Sequence, residues 1–167
     1  MYNRANFAGF RASKPHLMKK LTGFLVTDLL ILIFVALDQA TKYLAETYIS
    51  EKIPLIENFL TLEKSHNPGI AFGIHVNQIA LLVITILLIA VLIHIAYKEI
   101  NLRKTLGILS VGLILGGAIG NLIDRIHYGH VIDFISFKFW PAFNLADLFI
   151  VTGVLMVVIF YKRVVKK

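Results

Sequence analysis

Three acids and two asparagines in the last third of the chain have the types and spacing to do chemistry: Asn121 and Asp124, Asp133, and Asn144 and Asp147. Asn121-Leu122-Ile123-Asp124 and Asn144-Leu145-Ala146-Asp147 echo one pattern. Within helices, a spacing of three puts each Asn and Asp on one face. Between them lies Val131-Ile132-Asp133-Phe134-Ile135, a carboxylate with apolar neighbours on both sides. Two carboxylates within a few ångströms cannot both ionise cheaply. They share one proton, so that one acts as base toward water while the other donates to a substrate carbonyl. That is peptide hydrolysis of the aspartic type, with no metal in it. Asp124 precedes Arg125, whose permanent charge favours an ionised carboxylate, whereas Asp133 and Asp147 have only apolar immediate neighbours. The pair expected to react is therefore Asp133 with Asp147.

Each of these residues also has a plainer reading. Asn144 can cap a helix with Asp147 favouring its dipole, and taken singly that is as good an account as catalysis. Three acids and two asparagines on adjoining helix ends are harder to explain structurally. Asp38 and Lys42 stand four apart; one reading is an exposed ion pair worth a few tenths of a kcal/mol, the other is functional. Asn67-Pro68-Gly69-Ile70-Ala71-Phe72-Gly73 has the composition of a loop. Gly112, Gly116, Gly117 and Gly120 suit close helix packing. His66, His75, His94, His127 and His130 show no i, i+4 pairing, His16 stands apart near the start, and the chain holds no cysteine, so no metal site and no cofactor is expected. Trp140 and Tyr128 fit an interfacial belt. Asp28 has no evident role.

The elements that must position these residues are membrane helices. The 167 residues are 57% hydrophobic and only 16% charged, with mean hydropathy +0.77, outside the range of soluble domains. Apolar stretches cover Leu21 to Leu37, Ile79 to Tyr97, Leu106 to Ile123, and about Asn144 to Tyr161, each near the ~20 residues a crossing needs. A mainly α membrane protein with four transmembrane helices is expected. The net charge of +7 points to topology rather than nucleic acid, because twelve of the seventeen basic residues flank these stretches on alternate sides. Both termini and the middle loop are then cytoplasmic, and the segments Asp38 to Gln78 and Asp124 to Phe143 face outward. The first helix lacks a small-x-small cleavage site and is expected to be retained. Ile53 to Ile56 and Phe59 to Glu63 read as short strands of a small extramembrane sheet on the outer side. Residues 1–18 read as an N-terminal tail or foreign remnant, and 19–167 as a single domain including the β-rich segment 49–76, whose Gly and Pro content suits a lid.

Taken together, Asp38-Gln39-x-x-Lys42, Asn67-x-Gly69-x-Ala71-Phe72, Gly116-Gly117-Ala118-x-Gly120-Asn121-x-x-Asp124-Arg125, Val131-x-Asp133-Phe134 and Phe143-Asn144-x-Ala146-Asp147 resemble the bacterial lipoprotein signal peptidases, the signal peptidase II family. The match runs in order from about residue 38 to 150. The resemblance implies four membrane helices with an extramembrane β-cradle, and a catalytic pair at Asp133 and Asp147. It implies that Asn121, Arg125 and Asn144 line the substrate groove while Asp38, Lys42, Asn67 and Asp124 support it, with Gly69 and Ala146 belonging to the same motifs. The implied substrate is a prolipoprotein whose cysteine bears diacylglycerol, cut on the amino side of that cysteine at the outer face of the bacterial inner membrane. Contact with membrane lipids and inhibition by cyclic peptides of the globomycin type follow from the same likeness. The chief rival is a small proton-coupled transporter, which predicts acids near the midplane and inverted repeats. A structural subunit without chemistry is a third reading.

Overall fold

Polar residues do not end the first helix: α1 runs Ala5–Tyr48, straight through Asp38 and Lys42. Thr27, Asp38, Lys42, Ala45 and Ile49 are buried along one stripe, at the three- and four-residue steps that keep a helix face turned to a neighbour. The computed structural model describes the backbone of residues 5–69 and 77–166, with side chains from Met18 onward in those ranges, Lys20 excepted. The described part of the expected N-terminal tail is helical and continuous with α1. Ile70 to Val76, including Ala71 and Phe72 and the last residues of the expected lid, lie outside the described residues.

Four further helices follow, α2 (Gln78–Glu99), α3 (Thr105–Tyr128), α4 (Leu145–Ile159) and the single turn α5 (Tyr161–Val164). Three segments, Leu21–Tyr48, Gln78–Glu99 and Thr105–Tyr128, are long and apolar enough to cross a membrane, whereas α4 is apolar but shorter. They turn Leu25, Leu29, Leu32, Ile84, Leu87, Leu88 and Val91 outward, the inverse of a water-soluble bundle and the pattern expected where lipid is the solvent. Helix α3 is the most enclosed and packs against α1, α2 and α4. The core divides along its length. At the end holding Ile100, Leu102 and Val164 it is an apolar cluster, the buried hydroxyls of Thr27 and Ser110 bonded to carbonyls of their own helices; at the other end the buried polar groups are Asp38, Lys42, Asn121, Asp124, Asp133 and Asn144.

An antiparallel sheet of order β1-β2-β3-β4 closes the polar end. Strands β1 (Ile53–Ile56) and β2 (Leu60–Asn67) lie where the sequence indicates them, β2 running four residues past Glu63. The second pair, β3 (Val131–Phe137) and β4 (Trp140–Phe143), occupies what reads in sequence as a plain connection. Gly129 starts it: at φ +75° it occupies the left-handed region and its N–H caps Arg125 at 3.2 Å, ending α3 as glycine does with little penalty. The chain thus reverses into β3 and carries Asp133 back over the helix ends.

Candidate active site

The deepest layer of the polar core is an ion cluster. Lys42 Nζ lies 2.8 Å from Asp38 Oδ2, 2.8 Å from Asp124 Oδ2 and 2.8 Å from Asn121 Oδ1. Three ammonium protons meet three acceptors. With Lys42 1% exposed and both acids at 0%, this is not the exposed ion pair that the i, i+4 spacing allows. A desolvated charge is tolerable only with such complete partnering. The cation beside Asp124 is Lys42 from α1, not its sequence neighbour Arg125. Gln39 adds bonds from Nε2 to Asp124 Oδ1 (2.8 Å), the Gly120 carbonyl (3.2 Å) and Asp38 Oδ2 (3.3 Å). The backbone N–H of Ile132 donates to Asp124 Oδ2 at 3.2 Å, tying β3 to the same cluster.

Asp38 reaches further. Its Oδ1 accepts the N–H of Ala146 at 3.0 Å, in the first turn of α4 and 108 residues away. Asn144 caps the same helix: its Oδ1 accepts the Asp147 N–H at 3.1 Å, and Asp147 Oδ2 accepts the Asn144 N–H at 3.3 Å, a capping box. The plain capping reading of Asn144 is therefore true, yet it is half of what the residue does. Its Nδ2 donates to Asp133 Oδ1 at 2.8 Å, to Asn121 Oδ1 at 3.1 Å and to the Ile132 carbonyl at 3.3 Å. One side chain joins the two acids expected to react.

Asn67 stands on Asp133 from the other side, its Nδ2 donating to Asp133 Oδ2 at 3.1 Å. The register explains why: Ser65 pairs with Asp133 and Asn67 with Val131, so Asn67 and Asp133 are diagonal neighbours on one face of the sheet. Asn67 Oδ1 also accepts the Gly69 N–H at 3.1 Å, which shapes the start of the loop. Asp147 Oδ1 accepts Asn121 Nδ2 at 2.8 Å. Arg125 lies within electrostatic range of Asp147, Asp124 and Asp133; its Nη1 donates to the Asn121 carbonyl at 3.4 Å, while its buried Nε has no partner among the described residues.

Asp133 is 2% exposed. Burial first, with the charge of Asp147 adding to it, pushes its carboxyl up to about 7 against the lowering effect of the Asn67 and Asn144 amides. Near neutral pH this carboxyl holds its proton part of the time, the property a donor to a carbonyl oxygen needs. Asp147 is half-buried at the start of α4, the more accessible of the two.

All the candidate residues within the described ranges thus converge on the sheet end of the bundle. Gln39 is a member that the sequence reading gives no role, although a glutamine beside Asp38 in an otherwise apolar helix is an available signal; Ala146, named there as a supporting residue, takes part through its backbone N–H. Among the described residues no set of three or more His, Cys, Asp or Glu could hold a metal ion. Asp28 is exposed on α1. His66 pairs with Glu46 at 3.1 Å and stacks on His130, outside the cluster.

A helical membrane protein that buries an ion cluster and sets two acids above it, under a four-stranded sheet, is a narrow class. The sequence pattern of one family, described as signal peptidase (SPase) II, matches residues 30–163. The lipoprotein signal peptidase of Moorella thermoacetica is 44% identical over 130 residues, covering 77% of this chain and 87% of its own; that of Caldanaerobacter subterraneus subsp. tengcongensis is 47% identical over 127 residues, covering 73% and 86%. A bacterial membrane enzyme solved by the in meso method at 2.3 Å superposes with a TM-score of 0.70 at 30% identity, over 82% of this chain and 87% of that one. The chain belongs to the signal peptidase II family, and it is a membrane peptidase by that membership.

Proposed function

We propose that this protein is an aspartic endopeptidase of the bacterial cytoplasmic membrane that removes signal peptides from diacylglyceryl-modified prolipoproteins. It cuts on the amino side of the lipid-bearing cysteine, with Asp133 and Asp147 activating one water between them. The observation that carries this reading is the bridge made by Asn144, which bonds Asp133 through Nδ2 and Asp147 through Oδ1 and its backbone N–H. Asn121, Arg125 and Asn144 line the groove that takes the substrate; Asp38, Lys42, Asn67, Gly69, Asp124 and Ala146 hold its walls.

In this reading the chain crosses four times, α4 with its short continuation α5 making the last crossing. Both termini are cytoplasmic, and residues 19–167 form one domain. The acids then lie at the outer face, where a substrate anchored by a signal helix and two acyl chains presents its scissile bond. The position of Asp124 four residues before the end of α3, and of Asp147 in the first turn of α4, supports that depth over the midplane site a transporter needs. Segment 49–76 acts as a lid, and cyclic peptides of the globomycin type occupy the same groove.

The test is cleavage of a diacylglyceryl-modified precursor in detergent or liposomes by wild type, Asp133→Asn and Asp147→Asn. Each variant stays folded and loses on the order of a thousandfold in kcat, and EDTA leaves the wild-type rate unchanged. Substantial turnover by either variant, or inhibition by the chelator, sinks the proposal.

A further inference from the structure

The ion cluster and the acid pair meet at one side chain, Asn121. Its Oδ1 accepts from Lys42 Nζ at 2.8 Å and from Asn144 Nδ2 at 3.1 Å, while its Nδ2 donates to Asp147 Oδ1 at 2.8 Å. Turning the amide over would set its NH2 against two donors and its oxygen against a carboxylate, so its orientation is dictated by Lys42 on one side and Asp147 on the other. Resting on the dyad assigned above, we propose that Lys42 is a positioning residue: through Asn121 it keeps the negative charge on Asp147 and leaves the shared proton on Asp133.

The surroundings of the two acids differ in the direction this requires. Asp147 faces the oriented Asn121 amide, polarised by a cation on its oxygen, and it has Arg125 in electrostatic range from α3. Among the described residues, the other charged groups in this cluster are Asp38 and Lys42 from α1, Asp124 from α3 and Asp133 from β3; Asp38 and Asp124 are both held on Lys42. Asp133 accepts from the neutral amides of Asn67 and Asn144, and the charges of Arg125 and Lys42 reach it as well. The Asn144 Nδ2 carries two hydrogens for three acceptors, since Asn121 Oδ1 and the Ile132 carbonyl also lie within 3.3 Å. Each acid accepts from two donors, Asp147 from Asn121 Nδ2 and the Asn144 N–H, so it is the deeper enclosure of Asp133 that favours its protonated form.

The division gives each acid one task. Asp147 takes a proton from water as the water oxygen bonds to the scissile carbonyl carbon, and Asp133 passes its proton to the carbonyl oxygen. When the tetrahedral diol collapses, the C–N bond breaks, Asp147 gives its proton to the departing nitrogen, and a diol hydroxyl returns one to Asp133. One water is consumed and both acids are restored.

Removing Lys42 alone strands two buried carboxylates, so the informative variants are Asn121→Ala, which cuts the relay beyond Lys42, and Lys42→Met/Asp124→Asn, which removes one charge of each sign. The full chain is assayed on diacylglyceryl-modified precursor across pH. In both variants the acidic limb of the kcat profile moves up by about one pH unit, the sign for a base that has lost stabilisation of its ionised form. The triple variant moves the limb no further, because both changes interrupt one connection. An acidic limb that stays in place in Asn121→Ala, or a change confined to KM, overturns the positioning role, and Asn121→Ala alone decides the matter where the double variant does not fold. Wild type that fails to cleave sinks the peptidase reading instead, so the two failures are distinct.

Discussion

Adding one methyl group at Gly120 tests whether the ion cluster, rather than helix packing in general, holds this end of the bundle together. A Cβ at Gly120 would overlap Asp38 Oδ2 and stand 3.0 Å from Asp38 Cγ. Asp38 cannot give way: it is held at 2.8 Å by Lys42, at 3.3 Å by Gln39 and at 3.0 Å by the Ala146 N–H. Gly112, two turns earlier on the same helix, is the control, since its Cβ would meet Leu30 Cβ at 3.0 Å, an apolar contact able to shift slightly. Both substitutions gain about 1 kcal/mol in helix propensity. At Gly112 an overpacking cost of about 1 kcal/mol leaves the sum near zero. At Gly120 the methyl adds up to about 3 kcal/mol of overpacking and weakens charge-assisted hydrogen bonds worth about 1.5–3 kcal/mol each, for a net loss of about 2–4 kcal/mol. Thermal unfolding in one detergent reads the difference directly. Gly120→Ala unfolds well below Gly112→Ala, which stays near wild type. Equal stability of the two variants would refute the view that Asp38 is rigidly held.

Two further predictions follow from the acid pair. Burial raises the Asp133 carboxyl from its ordinary 3.8 to about 7, so in its proposed role as donor turnover falls as pH rises through about 7. The folded state also binds this proton more tightly than the unfolded one, so stability is fully present below about 4 and declines toward 7; Asp133→Asn therefore gains stability relative to wild type on going from pH 5 to pH 8, and a constant difference in unfolding temperature contradicts the assignment. Asn144→Ala removes an N-cap and the bond to Asp133 while keeping the backbone N–H on Asp147: stability drops by about 1–2 kcal/mol, whereas activity falls far more than in a second cap variant, Asn77→Ala on α2, and equal losses in the two would reduce Asn144 to a cap.

What could be read from the sequence was what local pattern encodes. The apolar stretches marked the helices, the alternation of Ile53 to Ile56 marked β1, and the i, i+3 spacing of each Asn–Asp pair put them on helix ends. Eight of residues 131–143 are β-branched or aromatic, a strand signal that reading the segment as a plain connection leaves unused. What else escaped was decided by distant partners. Helix α1 was expected to lose its membrane character at Asp38, because Lys42 is costly to bury until Asp124 and Asn121, about eighty positions later, supply its other two acceptors. Asp124 was assigned to Arg125 for the same reason: adjacency is visible in a sequence, whereas a cation arriving from another helix is not. The Asp38–Ala146 bond joins an acid to a backbone N–H, a partner that no pattern of side chains displays.

The polar core also explains why so small a protein can hold two acids in register. Helix packing between lipid-facing elements gains little from apolar burial, because lipid solvates those surfaces as well as a neighbouring helix does. Directional bonds must then set the relative positions of α1, α3, α4 and β3 at the site. Lys42 joins α1 to α3, Asp38 joins α1 to the first turn of α4, Asp124 joins α3 to the Ile132 N–H of β3, and Asn144 joins α4 back to β3. These four links form a closed ring, and Asp133 and Asp147 each lie one residue beyond a member of it or bonded directly to one. A shift of α4 along its axis would strain the bond from Asp38 to the Ala146 N–H together with that from Asn121 to Asp147. The geometry of the proposed dyad is therefore set in large part from beneath, by Lys42, Asp38 and Asp124 in the ion cluster.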